Sequence, residues 1–475
     1  LTVWMMGVFA GCWPFMESPL WAQAPHDSLA RTNDTCYQIE GIRIVGNEQT
    51  RPSIILRELP FAEGDTLCQG DIEKTLERAQ QTVFNTRLFQ KVNVRPVTRV
   101  PGGKLTVVIQ VEERWYWFIF PHFELVDRSF NEWWVNQNRD FSRTEYGIKG
   151  YYKNFRGRNE EISIKAITGY INRLELGYDV PFFSWNEQLG AKLAYRYFNR
   201  REVLLRTTEN QQEFFEDDRV LMRGNEASLT LQYRPRLFGY HTLKFGYQDT
   251  RVEDTIIHLN ADYFTEPSQN RQQFFGLRYT FRHDDRDIKA YPTDGHFLKG
   301  QYRRMGLGIY DDLHLNRLEL TYKQYQPLDT NWFWAAMARY KWDGPGKQPF
   351  FNMSSLGYGE NYVRGYDLYV IDGQQFALFK TALRRRLFSH ELRLNFLPLP
   401  QFRIIPVSVY AKGFFDGGYV VDNYYRNYGP LANEPLTGGG LGLDIVTFYD
   451  IVYRVEYSWN RTGENGFFVY FSLGI

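Results

Sequence analysis

The sequence predicts an all-β transmembrane barrel of about sixteen antiparallel strands preceded by one small α+β domain, and three observations carry this prediction. Aromatic residues make up 17% of the 475 residues, yet the mean hydropathy is −0.47. After the N-terminus, no apolar run is long enough for a membrane-spanning helix. Beyond residue 113, segments of about ten residues alternate between apolar and polar side chains, as expected where only every second residue faces lipid.

Composition narrows the functional classes. The net charge of +1 lacks the basic excess typical of nucleic-acid-binding domains, so no nucleic acid is expected as a partner. The eight histidines and three cysteines show no metal-ligand spacing, and neither a metal nor another cofactor is expected. Cys36 and Cys68 fall in one small domain that is expected in an oxidising compartment, where they form either a disulfide or two buried thiols.

Residues 1–24 have the features of a signal peptide. The segment is apolar and ends in Ala22-Gln23-Ala24, which has the small-x-small form of a signal-peptidase site. It lacks a positively charged start, so the true N-terminus is expected further upstream. Gly11-Cys12 weakly resembles a lipoprotein cleavage site, which leaves lipidation of Cys12 as an alternative. Residues 25–35 are expected to form a linker.

Residues 36–113 have the pattern of a small α+β domain in the order β-α-α-β-β, about the size that can just bury a core. Pro52 lies in the first turn of the first helix, where its missing N–H group costs nothing. The predicted elements are, in order, a strand (39–45), a helix (50–59), a helix N-capped by Asp71, and two strands (91–97 and 105–111).

Three phrases in this domain resemble the POTRA family. They are Ile39–Thr50 (IEGIRIVGNEQT), Glu63–Asp65 (EGD) and Thr86–Val94 (TRLFQKVNV). Gly46 and Gly64 fall where turns often require positive φ. The resemblance implies a module that binds client polypeptides along an open strand edge. The alternative is that the domain is only a folded spacer.

Residues 114–475 are predicted to form the barrel. Three segments illustrate the pattern, in which one face is apolar and the other polar or charged: 189–197, 332–342 and 451–459. A membrane barrel turns the apolar face toward lipid and the polar face toward a wet lumen. The length divided by about 20–24 residues per strand and connection gives about sixteen strands. Three longer hydrophilic stretches are predicted as loops: 207–218, 255–270 and 422–437.

Three motifs in the barrel resemble the superfamily of outer-membrane assembly and secretion proteins that includes BamA, TamA and the two-partner secretion pores. They are Asp284-Asp285-Arg286-Asp287 followed by Tyr291-Pro292-Thr293-Asp294-Gly295, then Val363-Arg364-Gly365-Tyr366, and Phe414-Phe415-Asp416-Gly417-Gly418. Their order behind a POTRA-like domain makes the resemblance specific, and it covers nearly all of the mature chain. It implies a location in a Gram-negative-type outer membrane, with the POTRA domain in the periplasm.

Arg364 is the candidate anchor of a long loop inside the lumen. A buried guanidinium group carries five donors and a permanent charge, so it needs a matching carboxylate. The resemblance implies that this arginine pairs with acids on inward-facing strands, and the alternation of side chains places Asp416 on the lumen face. At the position of a second family acid, this chain has Ala382. Either another acid, such as Asp367 or Asp444, compensates for it, or the loop is held less tightly.

The last strand contains Phe468, Tyr470 and Phe471, and it is expected to close the barrel against the first strand, near 115–123. Ile475 stands at the end of the chain, where outer-membrane barrels usually have an aromatic residue. In the family, opening of this seam exposes strand edges that can template an incoming strand.

No catalytic arrangement is evident, and no enzyme activity is expected. The glycine-rich run 438–442 leads into the alternation of a strand rather than into a helix, so it is not a phosphate loop. His283 adjoins Asp284 and Asp285, but neighbouring residues on a strand point to opposite faces, so no metal site is predicted.

The leading hypothesis is an outer-membrane protein that inserts or translocates unfolded client polypeptides, either as an assembly factor or as a secretion pore. In it, the POTRA domain receives clients, and the seam and the lumen loop carry gating. The expected partners are client polypeptides and outer-membrane lipid, with accessory periplasmic or lipoprotein subunits as a further option. Two alternatives are a passive diffusion channel, which needs neither the POTRA domain nor the arginine loop, and an outer-membrane enzyme such as a phospholipase.

Overall fold

The computed structural model describes residues 35–99, 103–125, 133–134, 138–183, 188–310, 313–393, 404–425, 429–447 and 451–472. A small α+β domain precedes a sheet of sixteen antiparallel strands, which is the predicted fold class. The expected signal peptide with Cys12, most of the expected linker and Ile475 lie outside the described residues. Within the described residues, no helix is long and apolar enough to cross a membrane.

The small domain packs two helices on a four-stranded sheet. Its elements are β1 (Cys36–Val45), α1 (Pro52–Leu56), β2 (Thr66–Cys68), α2 (Gln69–Phe84), β3 (Phe89–Arg99) and β4 (Lys104–Glu113). The sheet order is β2-β1-β4-β3, with β1 parallel to β4. Apolar side chains at helical spacing on α2 meet alternating side chains of the strands, and the resulting core includes Ile55, Ile72, Val83, Leu105 and Ile109.

Two details of this domain differ from the prediction. A three-residue strand, β2, separates the helices, and it is too short to show alternation in the sequence. Helix α2 has Cys68 at its N-cap, so Asp71 lies in the first turn instead of capping it. There its charge still interacts favourably with the helix dipole. Cys36 and Cys68 face each other across β1 and β2 and form a disulfide.

The second part of the chain consists mainly of strands joined as hairpins. They are β5 (Trp117–Leu125), β6 (Thr144–Phe155), β7 (Glu160–Gly169), β8 (Ile171–Val180), β9 (Leu189–Arg200), β10 (Glu202–Thr208), β11 (Gln211–Glu216), β12 (Met222–Tyr233), β13 (Gly239–Val252), β14 (Arg271–Asp284), β15 (Gly295–Met305), β16 (Leu315–Pro327), β17 (Trp332–Gly344), β18 (Gln375–Arg393), β19 (Ile404–Val421), β20 (Pro435–Thr447), β21 (Ile451–Asn460) and β22 (Asn465–Ser472). A short helix, α3 (Asp254–Leu259), follows β13. Strands β10 and β11 form a separate hairpin, and the other strands build the barrel sheet.

The faces of the barrel sheet are inverted relative to a soluble sandwich. On β12 and β13, Leu229, Leu231, Leu243 and Phe245 are exposed on the outer face. Polar and charged side chains, such as Lys244, alternate with them on the inner face. Exposed apolar side chains on the outside meet lipid in a membrane, while the inner face surrounds a polar lumen.

The predicted loops are only partly irregular. Most of 207–218 belongs to the β10–β11 hairpin, and 255–270 begins inside α3. The stretch 422–437 runs into β20, although 426–428 lie outside the described residues. The glycine-rich run 438–442 forms part of β20, as predicted from its alternation.

The two ends of the barrel sheet are β5 and β22. Each pairs with one neighbour, β6 and β21 respectively. No ladder joins β5 to β22 within the residues that the structure describes, so the expected closure against 115–123 is not formed by paired backbone there.

Candidate functional site

The long connection between β17 and β18 (345–374) folds into the lumen. Val363 and Tyr366 are almost completely buried and pack with residues of β18, β19 and β20: Phe376, Leu378, Val420 and Leu436. Gly365 has a φ of 93°, a conformation that residues with a Cβ rarely adopt. The reversal at Gly365 directs Arg364 toward the wall of the barrel.

Arg364 and Asp416 form a buried, bidentate ion pair. Nε of Arg364 lies 2.8 Å from Oδ2 of Asp416, and Nη2 lies 2.5 Å from Oδ1. The backbone N–H of Arg364 also donates to Oδ2, at 3.1 Å. Asp416 is completely buried and Arg364 is 8% exposed, so the structure brings together the two residues that the sequence singled out. Such a pair is stable in a dry environment only because its donors and acceptors match.

The second acid near Arg364 is Glu456 on β21, which was not predicted from the sequence. Its Oε1 atom lies 3.6 Å from Nη1 of Arg364. Ala382 is buried opposite Phe414 in the β18–β19 ladder. Asp367 forms no ion pair with Arg364 among the described residues and accepts from the backbone N–H of Gly365, at 3.0 Å.

A further cation, Lys380, and two aromatic rings surround the ion pair. Nζ of Lys380 lies 3.9 Å from Oδ2 of Asp416 and 3.8 Å from the ring centre of Tyr362. The guanidinium carbon of Arg364 lies 3.8 Å above the Phe414 ring. A ring face attracts a cation, so both rings offset part of the charge that burial concentrates here.

Two glycines let the loop approach the wall closely. A Cβ atom at Gly438 on β20 would overlap the carbonyl oxygen of Arg364. A Cβ atom at Gly418 on β19 would come within 2.6 Å of the Val363 side chain. The predicted motif residue Gly418 therefore provides space for the loop.

A polar chain leads from Arg364 toward the periplasmic end of the barrel. Glu456 accepts from Lys412 at 2.6 Å, and Lys412 donates to Asp444 at 2.5 Å. Asp444 in turn accepts from the hydroxyl group of Tyr291, at 2.8 Å. Asp444 thus lies in the same network as Arg364, three ion pairs away from it.

Tyr291 belongs to the predicted turn motif between β14 and β15. In this turn Asp287 accepts from the backbone N–H and the hydroxyl group of Thr293, at 3.0 and 2.6 Å. Gly295 has a φ of 92°, and Pro292 offers its carbonyl oxygen to Arg384 at 3.2 Å. The turn is therefore held by internal hydrogen bonds, and it contacts Asp444 and Arg384 of the barrel wall.

The small domain docks on this turn and on the neighbouring hairpins. Arg78 and Asn85 of α2 donate to the carbonyl oxygens of Asp285 and Asp287, at 2.8 and 3.0 Å. Glu58 forms a buried bidentate pair with Arg234, whose Nη2 lies 2.7 Å from Oε2. These contacts connect the small domain to the turn that ends the polar chain.

Tyr116 stabilises the junction between the domains. Its hydroxyl group lies 3.0 Å from the hydroxyl group of Thr50 and 3.2 Å from the carbonyl oxygen of Leu88. Burial raises the pKa of Tyr116 to about 12, so the hydroxyl proton is retained and can be donated.

The last strand contacts the loop. The hydroxyl group of Tyr470 donates to Asp367, and its ring stacks on Tyr362 with 5.7 Å between ring centres. Phe468 is buried. Phe471 is paired with Tyr453 in the β21–β22 ladder. Tyr470 thus connects the last strand to the arginine loop.

His283, Asp285 and His296 are grouped on the outer face, near the turn. As predicted from strand alternation, Asp284 points away from His283. Its Oδ1 atom pairs with Nε of Arg286, at 2.7 Å. The prediction did not include His296, which comes from β15, with Nδ1 2.9 Å from Oδ2 of Asp285. Because Asp285 also accepts the backbone N–H of His296, structural hydrogen bonds account for this group.

The fold and this geometry define a class: an outer-membrane barrel with an arginine loop anchored in its lumen and a docked periplasmic domain. A model of the Omp85 superfamily domain matches residues 154–448, and a POTRA model, described as a surface antigen variable number repeat, matches residues 37–114. The chain belongs to the Omp85 superfamily and carries a POTRA domain. As in that family, the barrel lies in the outer membrane and the POTRA domain lies in the periplasm. The family comprises transporters and assembly factors, not enzymes.

Solved structures share the fold. BamA from Haemophilus ducreyi lacking POTRA domains 1–3 aligns with a TM-score of 0.51 and 16% identity, over 92% of this chain and 84% of that chain. CdiB from Escherichia coli aligns with a TM-score of 0.54 and 14% identity, over 91% of this chain and 75% of that chain. At this identity the likeness concerns the fold alone.

Proposed function

We propose that this protein inserts client polypeptides into the outer membrane or translocates them across it, with the POTRA domain receiving the clients. The observation that carries the proposal is the continuous set of polar contacts from Arg364 through Lys412 and Asp444 to Tyr291, on whose turn the POTRA domain docks. A passive diffusion channel has no need to link an extracellular loop to a periplasmic domain.

The edges of the POTRA sheet suit a receiver of extended chains. Strand β3 is an edge strand of eleven residues, and one of its sides has no partner strand among the described residues. Pro96 is tolerated on β3 because an edge strand leaves some N–H positions outside the ladder. In the proposed function, a client segment adds to this edge by β-augmentation.

The barrel seam is the proposed place of gating. Strands β5 and β22 are the ends of the barrel sheet, and an unpaired strand edge can template an incoming strand. Tyr470 ties β22 to Asp367, only three residues from Arg364. Movement of the loop would therefore alter the support of the last strand.

The proposed partners are unfolded clients, outer-membrane lipid and accessory periplasmic or lipoprotein subunits. Depletion of the protein, followed by quantification of all outer-membrane and surface proteins, tests the proposal. General loss of outer-membrane barrels would identify an insertase, and loss of one surface protein would identify a dedicated secretion pore. An unchanged set, together with conductance that survives deletion of residues 36–113, would refute the proposal in favour of a diffusion channel.

A further inference from the structure

A row of cations crosses four adjacent strands on the lumen face of the barrel. Lys244 on β13 lies directly opposite Arg278 on β14, and Arg278 lies opposite Arg303 on β15. Arg303 in turn faces Arg317 on β16. Four residues further along β14, Arg282 lies opposite Lys299. We call Lys244, Arg278 and Arg303 the basic strip.

Like charges directly opposite each other in a sheet are destabilising. Arg317 is neutralised by Asp343, with its Nε atom 2.7 Å from Oδ1. The basic strip has no such compensation, because none of its three residues forms an ion pair with any residue in the described part of the chain. An arrangement that costs free energy in the fold is expected to have a use.

The acids nearest to the basic strip are already engaged. Glu226 pairs with Arg196, and Glu319 lies 3.2 Å from Nη2 of Arg339. Neither acid is therefore left to neutralise the basic strip by an ion pair.

The basic strip lines a polar lumen cavity of about 460 Å³. Three further cations line the same cavity, each paired with an acid: Lys165, Lys192 and Arg196. The space in front of the strip is therefore open to a ligand and carries an excess of positive charge.

We propose that the basic strip is an anion-binding site that takes the carboxylate groups of an acidic, extended polypeptide segment. Neighbouring strands are about 4.8 Å apart, so the three cations span about 10 Å across the wall. Side chains on one face of an extended segment are about 7 Å apart, which lets two carboxylates contact the strip together. The identification of the segment as part of a client rests on the proposed function, whereas the anion site does not.

The experiment measures binding of a fluorescent ten-residue glutamate-rich peptide to the purified full-length chain in detergent, with a lysine-rich peptide of equal length for comparison. Arg278→Gln is expected to weaken binding of the acidic peptide about tenfold, the loss of one charge-assisted hydrogen bond. The matched control is Lys323→Gln, which removes a lumen-facing cation on β16, outside the basic strip. It is expected to change the affinity for the acidic peptide less than about twofold.

A second measurement guards against a variant that only damages the fold. Because Arg278→Gln removes like-charge repulsion, it should raise resistance to urea at low salt, and high salt should abolish the gain. Equal binding of acidic and basic peptides, or equal effects of Arg278→Gln and Lys323→Gln on affinity, would overturn the proposal. Peptide binding that persists although depletion leaves the outer membrane unchanged would keep the anion site and reject the proposed function.

Discussion

Truncation of Arg364 gives the sharpest test of the lumen anchor. Arg364→Ala removes the two side-chain hydrogen bonds to Asp416, keeps the one from the backbone N–H, and leaves a completely buried carboxylate. Breaking one partner of a buried pair costs about 3–5 kcal/mol. Lys380 lies 3.9 Å from the same carboxylate and can approach it, so a loss near the lower end, about 3 kcal/mol, is expected.

The assay is urea unfolding of the full-length chain in detergent. The folded fraction is read from the difference in gel mobility between folded and heat-unfolded protein. The matched control is Arg196→Ala, because Arg196 pairs with Glu226 on the lumen wall with both side chains more than 30% exposed. Such a pair contributes about 0–1 kcal/mol. The control should therefore unfold at nearly the same urea concentration as the wild type.

A double-mutant cycle decides whether the two residues act as a pair. Arg364→Ala, Asp416→Ala and the combined variant should give a coupling free energy of at least about 1 kcal/mol, because each single change strands the other group. Additive losses would refute the proposed anchoring, even if each single variant were unstable. Equal losses for Arg364→Ala and Arg196→Ala would refute the magnitude derived from burial.

Three further changes test the surroundings of the anchor and the small domain. Gly438→Ala should lower the urea midpoint, because a Cβ atom there overlaps the Arg364 carbonyl oxygen, whereas Gly417→Ala, with open space at its Cβ position, should not. Glu456→Gln should destabilise the barrel in the same assay by about 1–3 kcal/mol, since a charged acceptor is lost; no change would remove Glu456 from the anchor. Cys36→Ser should lower the free energy of unfolding of the POTRA domain by about 3–4 kcal/mol, as measured by protease resistance. An equal effect of adding reductant to the wild type would assign this loss to the disulfide.

Strand alternation explains why Asp416 could be predicted from sequence. Residues 407–416 alternate without interruption, and a one-residue error would have placed Asp416 on the lipid face. Glu456 was equally visible on the polar face of its strand. Its role could not be predicted, because the distance from β21 to the loop depends on the registers of three strand pairs, and local sequence does not determine them.

Short elements and contacts across strands were missed for the same reason. Strand β2 has three residues, fewer than a recognisable alternation requires, so the order of the POTRA elements was incomplete. His296 joins Asp285 only through the β14–β15 ladder. The basic strip could not be predicted either, because its three cations become neighbours only through the registers of the β13–β14 and β14–β15 pairs.

The position of the second acid changes what the arginine loop can control. With Ala382 on β18, Arg364 has no second acid on that strand and is instead held between Asp416 on β19 and Glu456 on β21. Glu456 lies on β21, two strands beyond Asp416 on β19, and β21 pairs with β22. The anchor therefore reaches the strand next to the last one. Because Tyr470 of β22 also donates to Asp367, release of the loop would withdraw support from both of the last two strands. In the proposed mechanism, a second acid on β21 couples the lumen anchor more directly to the seam than an acid at position 382 on β18 would.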